Sequence, residues 1–92
     1  MIASFKDKET EAVFGLERSR RFHSIARTAV RKLTQLDVTE RLEDLKFPPG
    51  NQLEALKGDR SGQHSIRIND QFRICFRWTE DGVYDVEITD YH

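Results

Sequence analysis

An acid, a phenol and an imidazole follow one another at Asp90, Tyr91 and His92, directly after an alternating segment, VEIT, that is typical of a β-strand. Further back, cationic side chains recur at Lys57, Arg67, Arg73 and Arg77. An imidazole can donate or accept a proton near neutral pH, and guanidinium and ammonium groups stabilise negative charge that develops on phosphate oxygens. Together these residue types are suited to cleavage of a phosphodiester without a metal ion.

Such chemistry favours RNA, because the 2′-hydroxyl of the ribose supplies a nucleophile that DNA lacks. The protein must remove the proton of this hydroxyl, protonate the 5′-oxygen that leaves, and stabilise the charge on the oxygens of the phosphorane. His92 is the candidate proton donor. His23, His64 and Cys75 lie too far from one another and from His92 for metal-ligand spacing, so no metal or other cofactor is expected.

The composition predicts one small globular domain over residues 1–92, since 37% of the residues are hydrophobic and 34% are charged. The chain has no apolar segment of membrane-spanning length, no secretory signal and a single cysteine, which predicts a cytoplasmic protein without membrane contact. The net charge of −1 hides an asymmetry: residues 18–32 contain six Lys/Arg and no acid, whereas the last fifteen residues contain five acids and no base. A basic surface of this kind is typical of polyanion binding.

The first half of the chain predicts helices. Asp7 is suited to the N-cap of a first helix, and apolar residues recur at helical spacing from Phe22 to Leu36, which predicts a second, amphipathic helix of about four turns. Arg27 and Arg31 are four residues apart, so they project from the same side of that helix. This side is either an ordinary solvated surface or a contact for nucleic-acid phosphates. A short third helix is predicted before the FPPGN segment.

In the second half of the chain, the spacing of the apolar residues changes from the helical period of 3.6 to the strand period of two. We predict strands at residues 53–57, 64–68, 72–78 and 83–89, with a further short strand at residues 2–5. Tight turns between consecutive strands predict an antiparallel meander. Since the helices come first and the strands follow, the fold class is α+β, with the N-terminal helices packed on one face of a small antiparallel sheet.

Strand alternation assigns each side chain to one of two faces. Tyr84, together with Val86 and Ile88, is predicted on the helix-packed face, and the three strand arginines Arg67, Arg73 and Arg77 are predicted on an open polar face. Cross-strand ion pairs of Arg73 or Arg77 with Asp85 or Glu87 are the structural alternative to a functional role for these arginines.

The segment LEALKGDRSGQHSIRINDQFRICFRW, together with the final VEITDYH, resembles the HigB branch of the RelE-type toxins, within the RelE/ParE superfamily of bacterial toxin–antitoxin modules. The resemblance covers the whole chain. It implies a microbial-ribonuclease-like fold and a ribosome-dependent endoribonuclease that cuts mRNA in the A site of the 70S ribosome and so inhibits translation. It also implies a cognate HigA-like antitoxin, a helix-turn-helix protein through which the complex binds operator DNA.

The resemblance also implies catalytic roles for particular residues. Asp90, Tyr91 and His92 match the C-terminal catalytic triplet of the family. Lys57, in the L-K-G-D turn, matches a lysine near the scissile phosphate, and Arg73 matches the strand arginine that holds this phosphate.

Four further cations are expected to contact RNA. Arg67 is a supporting contact beside Arg73, and the basic helix, with Arg27, Arg31 and Lys32, would meet ribosomal RNA, where phosphate contacts position the protein without reading sequence.

One position departs from the family pattern. Some relatives carry a histidine three residues before the lysine of the L-K-G-D turn, whereas this chain has Glu54 there. A glutamate can act as the general base, although strand alternation places Glu54 on the face opposite Ala55 and Lys57.

Two other functions are consistent with the sequence. A ParE-like gyrase inhibitor would use the same scaffold to bind a protein, and it would not need the polar set of Lys57, Arg73, Tyr91 and His92. A non-catalytic RNA-binding module would use the basic helix and the arginine face alone, so that a His92→Ala change would have no effect.

If the catalytic group is the end of the last strand, an added tail would occupy the space of the substrate. We therefore expect a C-terminal affinity tag to reduce toxicity on induction, and an N-terminal tag to do so less. Growth curves of the two tagged proteins, matched for expression, test this, and equal toxicity would contradict it.

Overall fold

In the computed structural model, which describes residues 1–90 of the chain, the first two predicted helices are present, and the second begins at Ala26 rather than at Phe22. Helix α1 (Lys8–Phe14) begins at Asp7, whose carboxylate accepts a hydrogen bond from the Thr10 N–H at 2.6 Å. Helix α2 (Ala26–Val38) is preceded by one turn of 3-10 helix, His23–Ile25. The predicted third helix is a 3-10 segment, Leu42–Lys46.

The strands confirm the predicted antiparallel meander. They are β1 (Glu54–Ala55), β2 (His64–Arg67), β3 (Phe72–Thr79) and β4 (Gly82–Asp90), arranged in the order β1-β2-β3-β4. All neighbours in the sheet are antiparallel. β1 is shorter than predicted, and the predicted strand at residues 2–5 contributes only two isolated parallel bridges to β4, Ile2 to Val83 and Phe5 to Val86.

The hydrophobic core lies between the helices and one face of the sheet, as the α+β prediction requires. Helix α2 contributes Ala29, Leu33 and Leu36, all without exposed surface. The sheet contributes Ile66, Ile74, Phe76, Val86 and Ile88. Burial of each large apolar side chain stabilises the fold by roughly 1.5–3 kcal/mol, so this interface is the main source of stability.

A bulge interrupts the pairing of β3 with β4. Cys75 pairs with Glu87, but Arg77 pairs with Tyr84, so β3 has one residue between these pairs and β4 has two. Asp85 lies in this interval with a φ of 55°, in the left-handed region. Aspartate is one of the few residues other than glycine that adopt this conformation readily, and β4 accommodates the extra residue here.

Because of the bulge, the β4 residues before Asp85 lie on the opposite face of the sheet from the one predicted. Val83 and Val86 are both buried although they are three residues apart, while Tyr84 is only partly buried and lies opposite Arg77 on the polar side. The prediction that Tyr84 packs against the helices is therefore wrong. The extra residue at Asp85 shifts the alternation by one position, so residues before it occupy the opposite face from the one that simple counting gives.

Helix α1 is fastened to β4 by a buried hydrogen bond. The Thr10 hydroxyl accepts from the Ile88 N–H at 3.0 Å, and Thr10 has no exposed surface. Ile88 would otherwise present an unpaired N–H to the core, which is costly. Within the described part of the chain, no helix is long and apolar enough to cross a bilayer.

A Thr10→Val change keeps the shape of this side chain and removes its acceptor. We expect the free energy of unfolding to fall by about 1–3 kcal/mol, because the Ile88 N–H stays buried without a partner. Urea denaturation measures the loss. The matched control is Thr34→Val on the exposed side of α2, which should change stability by less than about 0.5 kcal/mol, and equal losses would show that the hydrogen bond is unimportant.

Candidate active site

Arg73 lies near the beginning of β3 on the side of the sheet away from the helices, and the structure holds it more firmly than the sequence suggested. The side chain was predicted on an open face, but Arg73 is only 6% exposed. Its Nε donates to Ser65 Oγ on β2 at 2.8 Å, and its Nη2 donates to the main-chain carbonyl of Gln52 at 2.8 Å. Hydrogen bonds from two separate atoms of the guanidinium fix the orientation of its plane.

Glu54 lies on the same face as Arg73. It is opposite Ser65 in the register of β1 and β2, and its Oε1 is 3.9 Å from Arg73 Nη2. About half of its side chain is exposed. The neighbouring Ala55 pairs with His64 and points to the other face, as predicted. The structure therefore places Glu54, which stands where some relatives carry a histidine, next to Arg73.

Lys57 lies beyond β1 and is exposed. Gly58 follows with a φ of 65°, a conformation that glycine adopts without strain, and the chain then turns through a short 3-10 segment, Gly58–Arg60. This is the physical reason for a glycine after the lysine in the L-K-G-D turn. Among residues 1–90 no hydrogen bond or ion pair engages the Lys57 ammonium group, so the turn presents it to solvent.

Asp90 is the last residue of β4 and pairs with Phe72, directly before Arg73. It is exposed, and its carboxylate accepts a hydrogen bond from Gln71 Nε2 at 3.1 Å. The end of β4 therefore lies beside the strand that carries the arginine. Tyr91 and His92, the other two members of the predicted triplet, lie outside the described residues.

The other strand arginines have acidic partners. Arg67, which pairs with Arg73 in the sheet register, forms an ion pair with Asp70. Arg77 Nε is 3.7 Å from Asp85 Oδ2, which confirms the predicted cross-strand alternative at this position. Glu87 does not pair with a β3 arginine; Arg60 Nη1 approaches its carboxylate at 3.1 Å instead.

The predicted RNA-binding cations of α2 fall into two groups. Arg27 and Arg31 are exposed, as predicted. Lys32 is 9% exposed, and its ammonium group donates to Asn51 Oδ1. Burial, and then the nearby charges of Arg31 and Arg67, lower the pKa of Lys32. Lys32 is therefore separated from the exposed basic surface with which the sequence grouped it.

Three residues at the site were not singled out from the sequence. Ser65 could have been found, because alternation puts it on the face of Arg73 in the adjacent strand. Asn51 has no exposed surface and lies in the FPPGN segment, which indicates only irregular structure. Gln52 acts through its main-chain carbonyl, and a motif of side-chain types cannot predict which main-chain carbonyl contacts the site.

His64 and Cys75 have packing roles in the structure. The His64 ring stacks on Phe76 with centroids 6.2 Å apart, on the side of the sheet that faces the helices. Cys75 is buried. Among the described residues, no cluster of three or more His, Cys, Asp or Glu side chains could hold a metal ion.

The lowered pKa of Lys32 predicts a dependence of stability on pH. The folded protein binds a proton at Lys32 less readily than the unfolded chain, in which the pKa takes its ordinary value of 10.5. Stability rises with pH wherever the unfolded state binds more protons. We therefore expect the wild type to gain stability relative to Lys32→Met as the pH is raised from about 8 toward about 10.

Urea denaturation of both proteins across this pH range measures the difference. Arg27→Met, at an exposed position of the same helix whose charge is not among those that lower the pKa of Lys32, is the control, and its difference from the wild type should stay constant over the same range. A difference between wild type and Lys32→Met that falls as the pH rises would show that the folded state favours the charged amine.

Comparison with known proteins identifies the family of this chain. A family model described as "RelE-like toxin of type II toxin-antitoxin system HigB" matches residues 3–92. Toxin HigB-1 of Vibrio cholerae serotype O1 is 41% identical over 85 residues, which cover 90% of this chain and 88% of that protein. An uncharacterized protein of Haemophilus influenzae is 32% identical over 60 residues, which cover 65% of this chain and 59% of that protein.

Solved structures share the fold. YoeB in the YoeB-YefM complex from Staphylococcus aureus superimposes with a TM-score of 0.57 over 100% of this chain and 98% of that one, at 17% identity. The YoeB dimer from the same organism gives a TM-score of 0.56 over 99% and 97% of the two chains. At this identity the likeness concerns the fold alone. The match over residues 3–92, together with the similarity to HigB-1, confirms the predicted relationship: this chain belongs to the HigB family of RelE-like toxins of type II toxin–antitoxin systems.

Proposed function

We propose that this toxin is a ribosome-dependent endoribonuclease that cleaves mRNA in the ribosomal A site and thereby inhibits translation. Family membership makes it a toxin, and the polar set around Arg73 supports a nuclease as the means of toxicity. The observation that carries the proposal is the buried Arg73 guanidinium, fixed by Ser65 and by the Gln52 carbonyl beside the carboxylate of Glu54.

The proposed reaction is an intramolecular transesterification. The 2′-oxygen forms a bond to phosphorus while the bond from phosphorus to the 5′-oxygen breaks, which leaves a 2′,3′-cyclic phosphate and a free 5′-hydroxyl. One proton leaves the 2′-hydroxyl for a general base, and one proton passes from a general acid to the 5′-oxygen. Negative charge accumulates on the non-bridging oxygens between these two events.

The residues take roles that match their chemistry. Arg73 stabilises the charge on the non-bridging oxygens, because a guanidinium of fixed orientation needs no reorganisation as that charge develops. Lys57, exposed in its turn, neutralises the scissile phosphate. His92 is the general acid, with Asp90 and Tyr91 completing the triplet. Glu54 is the candidate general base.

The exposed cations of α2 extend the proposal from the reaction to the ribosome. Arg27 and Arg31 would contact phosphates of ribosomal RNA and position the toxin, and Arg67 would support the substrate. Lys32 is left out of this surface, because its ammonium group is engaged with Asn51 inside the protein. A uniform, salt-sensitive loss of ribosome affinity is the mark of such phosphate contacts.

We also propose a cognate HigA-like antitoxin as the protein partner, with operator DNA reached through the antitoxin. Membership of a type II toxin–antitoxin family supports a protein antitoxin. The Staphylococcus aureus structures that share this fold include a heterotetrameric complex of YoeB-YefM toxin-antitoxin.

Mapping of new RNA 5′ ends in induced cells tests the nuclease directly. We expect wild-type protein to create new ends inside translated frames, in phase with codons. His92→Ala should reduce them about 100-fold or more, because a positioned general acid contributes about 10²–10⁴ to the rate. Lys57→Ala should also reduce them, since it removes one cation from the phosphate.

Two exposed residues of the same types serve as controls. His23→Ala and Lys46→Ala should leave the pattern and number of new ends as in the wild type. If cells stop growing without new 5′ ends, the nuclease is excluded, and a protein-binding toxin of the gyrase-inhibitor kind becomes the better explanation. If His92→Ala cleaves as well as the wild type, the assigned general acid is wrong.

A further inference from the structure

A buried side-chain amide stands between helix α2 and the loop that holds the arginine. Asn51 has no exposed surface. Its Oδ1 accepts from Lys32 Nζ, and its Nδ2 lies 3.1 Å from each of three acceptors, the carbonyls of Leu45 and Phe47 and the side-chain oxygen of Gln35. Because a lysine ammonium can only donate, the oxygen of the amide must face Lys32 and its nitrogen must face the carbonyls.

The amide therefore fixes the path of residues 47–52 from inside. Gln35 of α2 adds a second tie to the same segment, because its Nε2 donates to the Phe47 carbonyl at 2.7 Å. The loop is thus held to α2 through two side chains that both reach Asn51. Loops without such internal hydrogen bonds are free to change conformation on the surface.

The next residue transmits this constraint to the site. Gln52 has φ 45° and ψ 57°, a left-handed conformation that a residue with a Cβ adopts only when its surroundings require it. Its N–H donates to the Pro49 carbonyl at 3.1 Å, and its own carbonyl accepts from Arg73 Nη2 at 2.8 Å. The unusual backbone of Gln52 is what turns this carbonyl toward the guanidinium.

We propose that Lys32 and Asn51 are positioning residues for Arg73. They act through the main chain of Gln52, so that the core of the molecule, rather than the substrate, sets the plane of the guanidinium. The catalytic part of this inference rests on the proposed nuclease function. It gives Lys32 a role that differs from the predicted contact with ribosomal RNA.

The first test observes Arg73 without any reaction. The Nε–H of Arg73 donates to the buried Ser65 hydroxyl, and its hydrogen exchange can be followed by NMR of the full chain, with the signal assigned by its loss in Arg73→Lys. We expect Lys32→Met and Asn51→Ala each to speed this exchange about tenfold or more, because the Gln52 carbonyl is no longer held in place. Unchanged exchange in both variants would overturn the proposal.

Thr10→Val is the matched control. It removes a buried hydrogen bond between α1 and β4, away from the loop, and so weakens the fold without touching Asn51 or Gln52. Under conditions where every variant is folded, Arg73 Nε–H exchange in Thr10→Val should equal that of the wild type. Equal acceleration in Thr10→Val and Lys32→Met would show that general destabilisation, and not positioning, moves the arginine.

The second test measures cleavage of mRNA on purified ribosomes. For Lys32→Met and Asn51→Ala we expect kcat to fall about tenfold or more while KM stays within about twofold, since misplacement of a catalytic group by about 1 Å can cost up to about 100-fold in rate. A rise in KM at constant kcat in Lys32→Met would instead support the RNA contact and overturn positioning.

The two tests separate the two hypotheses. If the variants speed exchange of the Arg73 Nε–H and the wild type does not cleave mRNA, the positioning of Arg73 is supported and the proposed nuclease function is rejected. If the wild type cleaves mRNA and neither variant changes exchange or kcat, the nuclease stands and the positioning falls.

Discussion

Helix α2 buries Ala29, Leu33 and Leu36 against one face of the sheet, and the remaining structure is arranged around this contact. With that face occupied, the alternate side chains of every strand must lie on the other side, and there Ser65 and Arg73 meet. The contact also brings Lys32, one position before Leu33, to the margin of the core, where it reaches Asn51. The apolar packing thus determines both where the polar site can form and how it is tied to the helix.

The arrangement of strands could be predicted because β2, β3 and β4 direct most of their apolar side chains to the helix-packed face, so the alternation of apolar and polar residues is preserved over most of their length. The exception is β4 before Asp85, where a bulge shifts the alternation and exchanges the faces of Val83 and Tyr84. Aspartate is common in turns and on surfaces, so its presence in a strand did not identify this position. Whether Asp85 adopts a positive φ depends on how β4 pairs with β3. The sequence of β4 alone does not contain this information.

The sequence predicted which residue types form the site, but it predicted their burial and their contacts less well. Arg73 and Glu54 were identified, but the burial of Arg73 depends on the loop that carries Gln52, and loop conformation has no period from which it can be inferred. Lys32 is different, because a signal was present. It lies three residues after Ala29 and four before Leu36, within the apolar stripe of α2. This position indicates burial, whereas its charge suggested an exposed residue.

Charge is segregated along the molecule rather than spread over it. The C-terminal end of α2 lies near the turn between β3 and β4, where Asp37, Glu40, Glu80 and Asp81 line one cavity. Arg27 and Arg31 occupy the N-terminal half of the same helix. Acidic and basic residues are therefore concentrated at opposite ends of α2.

The attachment of residues 2–6 to β4 has a consequence for the synthesis of the protein. The Ser4 hydroxyl accepts from the Asp85 N–H, 81 positions away, and Thr10 accepts from Ile88 across 78 positions. The earliest residues therefore have no strand to join until β4 has been translated. A nascent chain that lacks β4 cannot close its core, so the fold cannot be completed before β4 has been synthesised.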